Sequence, residues 1–145
     1  MPDPIVVVAD LVDEPEDGRQ VLNDDLGLTS FGLSLMVFRA GQRWRIHAHE
    51  RQEEVYLVLS GRLTLLVEDT DGLLCERAIS AWQLVRVAPG IRRQVVNRGP
   101  EPLRFIAVGA VGRHERRDAV AWNSWEETGE GLPPQDVPLP DDLPT

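Results

Sequence analysis

The chain has 145 residues, 42% hydrophobic and 27% charged, which suits one globular domain with one core. A net charge of −9 argues against nucleic acid or an anionic membrane surface as partner. No apolar run approaches the roughly 20 residues of a spanning helix, a lone cysteine (Cys75) excludes an intrachain disulfide framework, and no signal segment follows Met1, so a cytoplasmic location is the expectation.

All 15 basic residues are arginine. Without lysine, Schiff-base chemistry and lysine general bases drop out, and anion recognition turns toward the planar guanidinium. From Asp118 onward the acids Glu126, Glu127, Glu130, Asp136, Asp141 and Asp142 meet no later basic residue.

In chain order, residues 5–9 form a short apolar run that reads as a first strand, and residues 13–18 an acidic loop. Residues 21–29 are ambiguous, with a turn expected at Asn23, Asp24 and Asp25. Residues 31–38 read as a strand with Leu33, Leu35 and Val37 on one face, buried on at least one side and partly on both. Residues 54–59, 62–67, 73–78, 83–87, 93–97 and 103–110 follow as short strands, separated by turn signals such as Asp71-Gly72 and Pro89-Gly90. Many short strands at this spacing predict an all-β sandwich or barrel.

Beyond Val111 the pattern breaks. Residues 113–117 form a solvated charge run with His114 exposed, and residues 119–125 read as a helical turn or a segment lying across the barrel. The rest, rich in proline and acid, reads as an extended tail, ordered only where Leu132, Val137 or Leu139 finds a groove. The expected division is an N-terminal strand and loops over residues 1–27, a barrel over 28–118 and a C-terminal extension over 119–145.

Residues 41–61 carry the chemistry. His47 and His49 at i, i+2 share a face if the backbone is extended, and Glu54 can return to meet them. Two imidazoles and a carboxylate with open positions suit a transition metal, iron(II) among them. Gly41, His47, His49, Glu54 and Gly61 match, position for position, the first motif of the cupin superfamily, and the chain resembles a small single-domain cupin over about residues 28–112. The resemblance implies a double-stranded β-helix, or jelly-roll barrel, with the acidic, proline-rich tail appended. It also implies pairing of barrels into a homodimer.

The family's second motif is matched at Gly90 and Asn97 and departed from at Trp82 and Ala88. Where it has its fourth ligand histidine, this chain has Arg93. A guanidinium offers no lone pair to a cation. Two readings follow. In one, His47, His49 and Glu54 hold a divalent iron, manganese, nickel or zinc ion for enzyme chemistry of dioxygenase or isomerase type. In the other, Arg93 pairs with Glu54 in a metal-free binding module. Under either, the expected partner is a small polar or carboxylate ligand, with Arg93 and Arg45 as a bidentate anion pocket and Gln52 and Tyr56 as pocket liners.

Glu53 is expected to face outward, opposite Glu54. Cys75 reads as a small buried hydrophobe, and Trp82, Trp122 and Trp125 as packing residues.

Overall fold

The short strands close into two antiparallel five-stranded sheets that face each other across one core. The computed structural model describes residues 5–110 and 118–144, so His114 and the charge run 113–117 lie outside the described residues. The elements begin with β1 (Arg19–Val21), α1 (Leu22–Leu26), β2 (Gly32–Phe38), β3 (Ile46–His49), β4 (Glu53–Ser60) and β5 (Arg62–Glu68). β6 (Leu74–Ser80), β7 (Leu84–Val87), β8 (Arg93–Val96), β9 (Leu103–Ala110) and β10 (Ala119–Trp122) follow. One sheet runs β1-β2-β9-β4-β7 and the other β10-β3-β8-β5-β6. Sequential strands therefore cross repeatedly between sheets, which is the jelly-roll arrangement.

Alternation explains the core. Met36 and Phe38 of β2 point inward to meet Tyr56, Val58, Leu63, Leu65, Leu103 and Phe105. Leu35 and Val37, on the opposite face of the same strand, are covered by Leu22 of α1, so β2 is buried on both sides. Each such side chain removed from water contributes on the order of 1.5–3 kcal/mol. Gly61, which ends the histidine segment, sits at φ 78° with Pro102 O only 2.4 Å from where a Cβ would stand. No other residue fits that turn without moving the backbone.

Several expectations need correction. Residues 5–9 join neither sheet: Ile5, Val6 and Val8 are exposed, and a little further on the Gln20 side chain occupies Val12 N and Asp10 O. The expected turn at residues 23–25 is α1, closed by Gly27 in the left-handed region at φ 67°. Residues 119–122 form an edge strand paired with β3, not a helical turn. Cys75 is exposed, because β6 is itself an edge strand that turns only Ile79 inward. Trp82 takes the left-handed position of the turn after β6 (φ 68°), and its ring is 82% exposed.

The C-terminal segment is strapped to the barrel. Val137 is buried, Leu132 pairs through its backbone with Ala121, and Leu143 N donates to Gly41 O at 2.7 Å. Arg39 grips Asp142 through Nε and Nη2, each at 2.9 Å. Among the described residues, no helix is long and apolar enough to cross a membrane.

Candidate metal centre

β3 aims the histidines. Its outward residues Ile46 and Ala48 pack on Trp122 and Val120, which leaves His47 and His49 facing into the barrel. β8 lies beside β3 with Arg93 directly opposite His47. From the other sheet, β4 brings Glu54 and Tyr56 to the same space, and β9 places Gly109 opposite Glu54. The ligand atoms of His47, His49 and Glu54 lie within 4.8 Å of one another. Glu53, as expected, points out of the barrel, where it pairs with Arg86.

The two oxygens of Glu54 have different surroundings. Oε1 accepts from Tyr56 OH at 2.5 Å and from Arg93 Nη2 at 2.6 Å. Oε2 lies 3.2 Å from His49 Nε2, beside a space that a Cβ on Gly109 would enter, 3.8 Å from Oε2 and 3.3 Å from Gln52 Oε1. One oxygen is held from behind and the other faces the cavity.

Burial on its own would raise the Glu54 pKa, but the His47 and His49 imidazoles and the Arg93 charge outweigh it and hold the group well below the usual carboxylate range. Burial likewise works against the Arg93 charge, and Tyr56 and Glu54 more than restore it, so its pKa is raised. Burial and then Glu54 push the Tyr56 phenol up, which keeps it a donor.

His47 is lowered by burial and then by Arg93, and is therefore held neutral. Its Nδ1 lies 2.9 Å from Arg45 O, a carbonyl that can only accept, so Nδ1 carries the proton. Nε2 is then the nitrogen free to ligate, and it lies 3.8 Å from Glu54 Oε1, the oxygen held by Tyr56 and Arg93. A neutral imidazole nitrogen beside a carboxylate is a donor pair of the kind that divalent transition metals take. The donor set of two imidazoles and Glu54 Oε2 fits a divalent transition metal.

The remaining expected site residues are placed as follows. Gln52, Tyr56 and Arg45 line the same cavity of about 1330 Å³ as the three candidate ligands. Arg45 Nε donates to Val137 O at 2.6 Å, and burial, then the Arg19 charge, work against its own charge while Asp17 supports it. Arg93 is fully excluded from solvent, and each of its three nitrogens donates one hydrogen bond, to Tyr56 OH, Ile91 O and Glu54. It stands behind Glu54, not on the cavity wall, so Arg45 and Arg93 are not brought together. Two residues of the site carry no motif signal: Gly109, whose missing side chain leaves room at Oε2, and Asp118, buried 3.7 Å from His49 Nδ1.

A cupin domain family model matches residues 34–109. No curated protein matches the chain. Among solved structures, a cupin protein from Bacteroides fragilis is similar at TM-score 0.62 and 22% identity, over 74% of this chain and 86% of its own. Oxalate decarboxylase from Bacillus subtilis is similar at TM-score 0.60 and 20% identity over 74% of this chain, which spans only 28% of the decarboxylase. A sugar phosphate isomerase from Silicibacter pomeroyi is similar at TM-score 0.59 and 28% identity, over 74% of this chain and 68% of its own. At such identities the first two likenesses speak to the fold alone. The family match spans more than half of the chain and coincides with the two-sheet barrel, and the chain belongs to the cupin family.

Proposed function

We propose that this protein holds one divalent transition metal on His47 Nε2, His49 Nε2 and Glu54 Oε2, and binds a small polar or carboxylate ligand in the cavity beside it. The observation that carries this reading is the convergence of His47, His49 and Glu54, whose ligand atoms lie within 4.8 Å of one another, with the His47 ring fixed by Arg45 O so that Nε2 is the nitrogen nearer Glu54. A bound ion supplies a Lewis acid with coordination positions left for a ligand oxygen. Arg93 and Tyr56 hold Oε1 and so keep Oε2 turned to the cavity. The similar Bacillus subtilis oxalate decarboxylase has Mn(II) centres, which supports trying manganese beside iron, nickel and zinc.

Metal analysis of protein purified without a histidine tag tests this. About one equivalent in the wild type, lost in His47→Ala and Glu54→Ala, is expected. Protein that stays empty after incubation with each of the four metals overturns it.

One observation favours a metal-free pocket instead: the Arg93 charge already sits 2.6 Å from Glu54. Under that reading the wild type stays empty, whereas Arg93→His, which removes the fixed cation and adds an imidazole, takes metal up.

A further inference from the structure

On the side of His49 away from Glu54 lies Asp118, the residue just before β10. Its side chain is 1% exposed. Oδ2 accepts from Gln52 N at 2.8 Å, and Oδ1 and Oδ2 accept from Arg51 N at 3.0 and 3.1 Å. Asp118 O also accepts from Glu50 N at 3.2 Å. One residue thus binds all three backbone amides of the link 50–52 between β3 and β4, the link that joins the histidines to Glu54. Within this frame His49 Nδ1 is buried, has no hydrogen-bond partner, and lies 3.7 Å from Asp118 Oδ2. A carboxylate can only accept; Arg51 Nε stands 3.8 Å from Oδ1, and the imidazole Nδ1 is the donor beside Oδ2.

We propose that Asp118 is a positioning residue for His49. Its Oδ2 accepts a hydrogen bond from Nδ1–H, a small tilt closing the gap, and so competes with Glu54 Oε2, 3.2 Å from Nε2, for the ring proton and favours the tautomer whose Nε2 lone pair is open to a cation. His47 is set the same way by a different acceptor, the Arg45 carbonyl. The two imidazoles then present bare nitrogens together, one oriented by backbone and one by a carboxylate held by the Arg51 and Gln52 backbone amides. Metal-binding histidines are oriented by such acceptors, and disturbing one costs roughly 10–100-fold in metal affinity. This inference rests on the metal reading for its consequence, but the tautomer itself is a property of the metal-free chain.

The test uses the full metal-free chain and its Asp118→Asn variant. Long-range nitrogen–proton NMR at pH 8 reads each imidazole, and the chain has only three histidines, separable with His47→Ala. In the wild type, His49 is expected to carry its proton on Nδ1 alone. In Asp118→Asn, whose amide offers a donor where an acceptor stood, the proton shifts to Nε2, as wrong-tautomer carboxylate-to-amide changes do elsewhere. Zinc affinity, measured by competition with a chelating dye, is expected to fall about 10–100-fold. A wild-type His49 protonated on Nε2 overturns the proposal, as does a variant that changes neither tautomer nor zinc affinity. If Asp118→Asn does not fold, the wild-type tautomer alone decides. A wild type that binds no zinc while His49 still depends on Asp118 leaves the positioning role standing and removes the metal reading. Zinc binding with a tautomer indifferent to Asp118 does the reverse.

Discussion

Glu54 is the residue on which both sheets act. Arg93 reaches it from β8 and His49 from β3, while Tyr56 reaches it along its own strand. Because Arg93 has no access to solvent, removing it strands a buried carboxylate. Arg93→Met is expected to destabilise the metal-free protein by about 3–5 kcal/mol, the usual cost of breaking a buried pair from one side, read as a lower midpoint in urea. A midpoint unchanged from wild type would show that the pair carries no stability.

The same residues set the pH dependence. Glu54 and His47 both have folded pKa values below their ordinary ones, 4.5 and 6.5. The unfolded chain therefore binds protons more readily at both groups, and their stabilisation is present at high pH and lost on acidification. In chelator-treated protein, unfolding free energy is expected to decline as pH falls below about 6.5 and to drop further below about 4.5. Stability that holds constant or rises over that range would contradict the burial of His47 and the pairing of Glu54 with Arg93 and the imidazoles.

At the scale of elements, β3 was the most legible. His-x-His on an extended backbone must share a face, and the glycine and glutamate spacings fix which connections surround it. Arg93 was legible as a departure and as a partner for Glu54, but its place off the cavity wall was not, because that depends on the register with His47. β10 left no local signal as a strand, and in the strap after it only apolar residues stood out, the anchors Leu132 and Val137 among them. The partners of both segments are distant: Trp122 lies beside Ile46, and Leu143 bonds Gly41. Cys75 and Trp82 were misread for the opposite reason, since alternation shows which residues share a face but not which strand lies at an edge.

The strap has its own test. Val137 is 2% exposed, and the carbonyl beside its side chain holds Arg45. Val137→Asp is expected to cost about 1.5–3 kcal/mol from lost burial alone and to open residues 129–144 to limited proteolysis while the barrel survives. Resistance equal to wild type would mean that Val137 does not anchor the strap.

At the scale of the whole molecule, an acidic chain is organised around a small interior set of paired charges. A cation held by His47, His49 and Glu54 binds the folded state alone, since the unfolded chain does not bring those atoms together. At a metal concentration about 100 times the dissociation constant the gain is about 2.7 kcal/mol. For a domain of this size that corresponds to a rise in Tm of about 5–10 °C, reversed by a chelator and absent in His47→Ala. A Tm indifferent to every divalent ion would tie the interior charges to Arg93 alone.

The division of labour within Glu54, Oε1 to Arg93 and Tyr56 and Oε2 to the cavity, is open to direct observation. Crystals of tag-free protein grown with zinc or manganese, measured at the metal edge, are expected to show one anomalous peak. That peak should stand about 2.0–2.2 Å from His47 Nε2, His49 Nε2 and Glu54 Oε2, with Arg93 still on Oε1. Crystals without a peak there, in which Arg93 alone neutralises Glu54, would contradict it.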